Sequence, residues 1–256
     1  MKAKYSIVLM VAVVALLAIS GPVQASKMDD QIVSSAKKSY VFKNYLKDDD
    51  IKIQSKDGAV TLTGTVSQES HKTLARETVA GLRGVKTVDN KLEIKGESPA
   101  ANSDAWLLTK VKTTLLFHRS VSAGTTVDVK NGIVTLRGDA ASQAEKDLTT
   151  EYAKDVEGVK DVKNEMVVST PAKKTQPAKK SQTAGDKIDD ASITGLAKMT
   201  LLYHRTTSAL NTTVTTNNGV VTLTGKAKSA AEKDLATKYV SDVNGVKRVK
   251  NRMTIE

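Results

Sequence analysis

Asn131-Gly-Ile-Val-Thr-Leu-Arg-Gly138 decides the fold, because the same box stands twice more in the chain, as Asp57-Gly-Ala-Val-Thr-Leu-Thr-Gly64 and Asn218-Gly-Val-Val-Thr-Leu-Thr-Gly225. Asn-Gly or Asp-Gly followed by alternating Val-x-Leu marks the tight turn of a hairpin, since such a turn needs positive φ at Gly. Before the second box Val127 and Val129 alternate as well, which supplies the first strand of that hairpin.

Working outward, each box is followed at constant spacing by a second one: "RGVKTVDNKLEI", "EGVKDVKNEMVV" and "NGVKRVKNRMTI". From turn glycine to the glycine before the valine the steps 58 to 84, 132 to 158 and 219 to 245 are all 26 residues. Ser142–Met166 and Ser229–Met253 agree at 17 of 25 positions. Duplication accounts for this, and the match defines repeat units at 30–94, 104–168 and 190–255. All four prolines (Pro22, Pro99, Pro171, Pro177) lie outside the units. The segment 169–187 contains "PAKKTQPAKK", with five lysines against Asp186, and reads as an extended, solvated tether.

Each unit reads as helix, strand, strand, helix, strand. The first helix starts at an aspartate cap, Asp104 or Asp190, and sets Leu107, Val111 and Leu115, or Ile193, Ala197 and Leu201, four apart on a core face. Gly64, Gly138 and Gly225 are expected to end the second strand. Ser142 with Glu145 and Ser229 with Glu232 form capping boxes for the second helix, which unit one lacks, having Gln68 and His71 there. Leu148, Tyr152 and Val156 line its buried face, as do Leu235, Tyr239 and Val243. On the last strand an asparagine recurs (Asn90, Asn164, Asn251) among apolar residues, which points to a structural hydrogen bond.

The α-β-β-α-β order, the "(D/N)G-x-V-T-L-x-G" box and the "G-V-K-x-V-x-N" box together resemble tandem BON domains, the transport-associated modules named after osmotically inducible and nodulation proteins. The resemblance covers all three units. It implies an α+β fold, each unit a three-stranded sheet with two helices on one face. It also implies an envelope protein that binds phospholipid or another membrane component and has no catalytic residue set. Many relatives carry two copies and some a lipid anchor; this chain has three copies and no cysteine to accept a lipid.

Residues 1–25 read as a signal peptide: Lys2 and Lys4, an apolar run to Ile19, and a small-residue site ending at Ala25. The run is too short to span a bilayer, so a mature chain cut there has no transmembrane segment. Its removal lowers the formal charge from +11 to +9. The expected place is the periplasm, with secretion the lesser option, and an exported basic chain meets anionic phospholipid or other envelope polyanions, or envelope proteins, rather than nucleic acid.

Three histidines and no cysteine offer no catalytic set, metal site or cofactor site: His118 and His204 stand at equivalent points of different units, where unit one has Asn44, and His71 recurs nowhere. The chain is therefore expected not to be an enzyme. For His118-Arg119 and His204-Arg205 two roles are open, helix-end cations or contacts to an anion. Trp106, Lys110 and Phe117, with Met199 and Tyr203 in unit three, form a second stripe on the first helix, away from the core face. That stripe suits a membrane interface, where aromatic rings lie at headgroup depth and lysine meets phosphate, or a neighbouring unit. Turned outward at a membrane, Phe117 and Tyr203 would be the principal contact residues. The rival function is chaperone-like or scaffolding, with the same faces binding other polypeptides.

Overall fold

The computed structural model describes residues 22–169, 187–207 and 211–256, with side chains from residue 26 onward. Residues 1–21 of the expected signal peptide and 170–186 of the expected tether lie outside the described residues.

Unit one comprises α1 (Pro22–Lys38), α2 (Tyr40–Asn44), β1 (Asp50–Lys56), β2 (Ala59–Val66), α3 (Glu69–Ala80) and β3 (Thr87–Ile94). Unit two comprises α4 (Asp104–Phe117), β4 (Thr126–Lys130), β5 (Ile133–Arg137), β6 (Asp139–Ala140), α5 (Gln143–Lys154), β7 (Asp161–Asn164) and β8 (Val167–Val168). Unit three comprises α6 (Asp190–Tyr203), β9 (Thr212–Asn217), β10 (Val220–Ala227), α7 (Ala230–Ser241), β11 (Arg248–Asn251) and β12 (Thr254–Ile255). In every unit the hairpin's second strand is central. It pairs antiparallel with the strand before it and parallel with the last strand, which the second helix brings alongside.

The hairpin turns are two-residue loops with positive φ at both positions, 56° and 80° at Asn131 and Gly132. An aspartate of each first helix holds the turn: Asp104 accepts from the amides of Asn131 (2.7 Å) and Gly132 (2.8 Å). Asp190 does the same for Asn218 and Gly219, and Asp29 for Asp57 and Gly58. These bonds hold the Asp104 carboxyl below its ordinary range. The helix caps fall one residue earlier than expected, on Ser103 and Asp189, whose side chains accept from the amides of Trp106 and Ser192. Asp104 and Asp190, expected as caps, are first-turn residues engaged with the hairpin instead.

A second correction concerns Gly64 and Gly225. They do not end their strands, which run on to Val66 and Ala227, because the last strand keeps pairing beyond them. Only Gly138 separates two strands, β5 from β6. The recurrent asparagine does satisfy backbone. Asn164 donates to the Lys146 carbonyl (2.9 Å) and accepts from the Met166 amide (2.9 Å), as Asn251 does with Lys233 and Met253 and Asn90 with Lys72 and Leu92. It bridges second helix and last strand, in unit two beside the gap between β7 and β8.

Apolar burial does not follow chain order. Unit two has its own cluster around Leu107, Val111, Leu136, Tyr152 and Met166, into which Tyr239 of unit three is inserted. Units one and three share one continuous cluster, from Ile32, Leu62 and Leu74 through to Ile193, Leu196 and Leu223, which also takes in Phe117 of unit two.

Candidate functional site

The two "HR" dipeptides meet. His118 and His204 follow the last residues of α4 and α6, and their Nε2 atoms face each other at 3.4 Å across the junction of units two and three. Around them the contacts come in equivalent pairs. The Arg119 amide donates to the Asp242 carbonyl and the Arg205 amide to the Asp155 carbonyl, at 2.9 and 2.8 Å. Asn244 donates from its amide to the Phe117 carbonyl, and Glu157 to the Tyr203 carbonyl. The junction is thus an approximate twofold in which each unit supplies both halves, as in an isologous dimer.

Side chains repeat that symmetry. His118 stacks on Tyr152 with centroids 3.8 Å apart, and His204 on Tyr239 at 3.9 Å. Tyr152 donates to Asp242 Oδ2 (2.9 Å), and the Tyr239 hydroxyl contacts Thr206 and Asp155. Ser120 donates to Asp242 and Thr206 to Asp155. The histidine Nδ1 atoms face these carboxylates at 3.4 and 3.2 Å, within charge attraction yet off the line of a good hydrogen bond.

Electrostatics follow from the burial. Burial pushes the His118 imidazole below its ordinary pKa, against Asp242, which pulls it upward, and His204, which adds to the fall. Burial works to raise both aspartates, but attraction from His204 with bonds from Thr206 and Tyr239 leaves Asp155 below the ordinary carboxylate range. Attraction from His118 with bonds from Ser120 and Tyr152 does the same for Asp242. Tyr152 and Tyr239 are pushed upward, first by burial and then by the neighbouring carboxylates.

The arginines act as cations at a helix end, although not at the end of their own helix. The Arg119 guanidinium donates to the carbonyl of Ser241, the last residue of α7, and to that of Val246. Arg205 donates to the carbonyl of Lys154, the last residue of α5. Each satisfies an orphan carbonyl of the partner unit's second helix.

The second stripe of the first helices is covered, which corrects its expected exposure. Phe117 is 1% and Tyr203 8% exposed, and Lys110, His118, Met199 and His204 are buried as well. Trp106 is half-buried, while the Arg119 and Arg205 side chains keep 53% and 46% of their exposure. The physical reason is docking. Phe117 meets Tyr45 of unit one edge to face at 5.5 Å. Lys110 lies 4.1 Å over the Trp106 ring and 5.3 Å from that of Tyr203, with Nζ 3.3 Å from Glu157. Burial lowers its pKa against the pull of Glu157. The residues left outward are Leu116 and Leu202, each one step before the buried aromatic and 59% and 40% exposed.

Unit one docks differently. Its α3 lies along α6, where Gly195 comes so near that a Cβ there would stand 2.5 Å from Thr78 Oγ1, and Gly81 faces Ala191. The break between α1 and α2 frees two amides, and unit three satisfies both: Tyr40 donates to Asp189 (2.7 Å) and Val41 to Ser192 Oγ (3.0 Å). Lys198 pairs with Glu77 at 2.9 Å.

The missed residues were Tyr152, Asp155, Tyr239 and Asp242 as partners of the histidines. The available signal was co-occurrence: units two and three carry His, Arg, Tyr and Asp at four equivalent positions, where unit one has Asn44, Tyr45, Thr78 and Gly81. Among the described residues no group of three or more His, Asp or Glu is placed to hold a metal ion, and no helix is long and apolar enough to cross a membrane.

Comparison with known proteins agrees with the repeat boundaries seen in the fold. The BON domain profile matches residues 28–96, 103–170 and 189–256. Over 138 residues, 52% of this chain and 69% of the relative, the sequence is 32% identical to Osmotically-inducible protein Y of Escherichia coli (strain K12). Two solved structures of CdsD, a structural protein of the type III secretion system of Chlamydia trachomatis, align at 15% and 14% identity. They cover 88% of this chain in each case and 92% and 97% of theirs, with TM-scores of 0.24 and 0.23, at which no shared arrangement follows. With three matches that together take in most of its length, the chain belongs to the BON domain family.

Proposed function

We propose that this chain is a non-catalytic, exported protein of the bacterial periplasm that binds anionic phospholipid or another envelope polyanion peripherally, in osmotic or envelope stress. The observation that carries this reading is the pairing of exposed leucine with arginine at equivalent helix ends, Leu116 with Arg119 and Leu202 with Arg205, on a strongly basic chain. Apolar side chains that enter the acyl boundary beside cations that meet phosphate are what a peripheral lipid contact requires. Trp106 is the one aromatic of the second stripe still within reach of solvent. Phe117, Met199, Tyr203, Lys110 and the two histidines serve the contact indirectly, by fixing the units that present it. The stress role rests on the relationship to Osmotically-inducible protein Y.

Co-sedimentation with phosphatidylglycerol vesicles, against phosphatidylcholine vesicles and across a salt series, tests this reading. Binding to the anionic vesicles is expected to weaken with salt and to fall at least about fivefold in Leu116→Asn/Leu202→Asn. No binding at low salt would overturn it, and binding to unfolded polypeptide instead would favour a chaperone-like role.

A further inference from the structure

Between units two and three lies a closed set of titratable groups whose protons can be counted. The His118 and His204 side chains are fully buried, and their Nε2 atoms are 3.4 Å apart. From α7 and α5 the carboxylates of Asp242 and Asp155 face their Nδ1 atoms, and from the same helices Tyr152 and Tyr239 cover the ring faces. Arg119 and Arg205 flank the carboxylates at 3.5 and 3.6 Å. Farther out, Glu151 is paired with Lys238.

Four ring nitrogens need protons in a particular number. Two protons, those of two neutral imidazoles, leave either an Nδ1 lone pair against a carboxylate or two Nε2 lone pairs against each other. With three, each Nδ1–H faces its carboxylate within charge attraction and one proton is shared between the Nε2 atoms, so no lone pair is set against an anion or against another lone pair. Four set two N–H groups head to head between fully buried side chains, where charge repulsion is weakly screened.

We propose that the His118–His204 pair is a proton-binding site that locks units two and three together when it holds three ring protons and releases them when a fourth is added in mild acid. The sign follows from linkage. An undocked imidazole takes up its proton near its ordinary value of about 6.5, while the docked pair resists the fourth. The undocked form then holds more protons as pH falls below that value, and docking weakens. The depressed pKa of buried His118 agrees with one ring remaining the acceptor. Asp155 and Asp242, held low while docked, lose their contribution only below the ordinary carboxylate range, so the two windows are separable.

Four backbone amides cross the junction, those of Arg119, Glu157, Arg205 and Asn244, and their hydrogen exchange in the full chain reads docking directly. Corrected for intrinsic rate, their protection is expected to fall about fivefold between pH of about 7 and 5, and to stay level over that range in His118→Gln/His204→Gln. Constant protection in the native chain, or an equal fall in the double variant, would overturn the proposal. Should the variant not dock, the ring ¹⁵N signals of the native chain decide. Two protonated Nδ1 atoms and one proton over the Nε2 pair are expected near neutral pH, and any other count refutes the site.

Discussion

The docking face of the second helix carries Thr78 and Gly81 in unit one, and Tyr152 with Asp155 or Tyr239 with Asp242 in the other two. Equivalent positions, two chemistries. Unit one keeps them small and lets α6 approach until Gly195 nearly touches Thr78. Units two and three make them large and polar, and meet through a paired set of His, Arg, Tyr and Asp. The first junction rests on close packing and gains from dispersion and apolar burial; the second rests on satisfied polar groups and gains specificity. Their differing sensitivities to added volume, lost charge and acid follow from that contrast.

Adding volume gives the largest expected effect. Gly195→Leu puts side-chain atoms into α3 backbone and is expected to cost about 3 kcal/mol, measured by urea unfolding. A glycine in a helix interior normally gains about 1 kcal/mol on replacement by Ala, so a stabilised Gly195→Ala would break the close-packing account. Next in size is Asp242→Ala, which strips partners from His118, Ser120 and Tyr152 and is expected to cost about 2 kcal/mol. Combined with Asp155→Ala it should cost less than the sum of the singles, because either change already loosens the shared junction.

Acid separates the two junctions further. Asp155 and Asp242 have native pKa values below their unfolded ones, so their stabilisation is present above about 4 and is lost as pH falls through the lower native values. The Thr78–Gly195 contact carries no such dependence. A thermal-unfolding series down to about pH 3 should show a steepening loss in the native chain that is reduced in Asp155→Asn/Asp242→Asn. The smallest effect is expected from Glu77→Gln, which removes the partner of Lys198. A partly exposed pair of this kind is worth about 0.5 kcal/mol, and the loss should shrink in high salt.

Much of each unit was legible in the residues. Asn131-Gly132 forces a hairpin because few other pairs tolerate two consecutive positive φ values, and Ser142 with Glu145 leaves little choice about where a helix begins. Asn164 could be placed because a lone amide among apolar neighbours must be bonded. The docking faces were harder. Periodicity identifies Leu107, Val111 and Leu115 as core, but a second apolar stripe with Phe117 reads alike whether it faces solvent, lipid or another unit. The helix ends were misassigned for a related reason. Arg119 does bond orphan carbonyls, yet sequence proximity cannot tell its own helix from one more than a hundred residues onward. Only comparison among the copies, asking which positions change together, distinguishes the two junctions.

The apolar cluster shared by units one and three has a kinetic consequence. Unit two's core is assembled almost wholly from its own residues, with Tyr239 and the partly buried Leu235 added from unit three. Unit one, made first, must wait for the last unit to be made before Ala75, Val79 and Ile32 join the continuous cluster that includes Ile193 and Leu196. Loop closure over more than a hundred residues is slow compared with contacts inside one repeat, so the first-made unit is the last to be covered. Until then its α3 face is open to wrong partners, including the same face of another nascent chain.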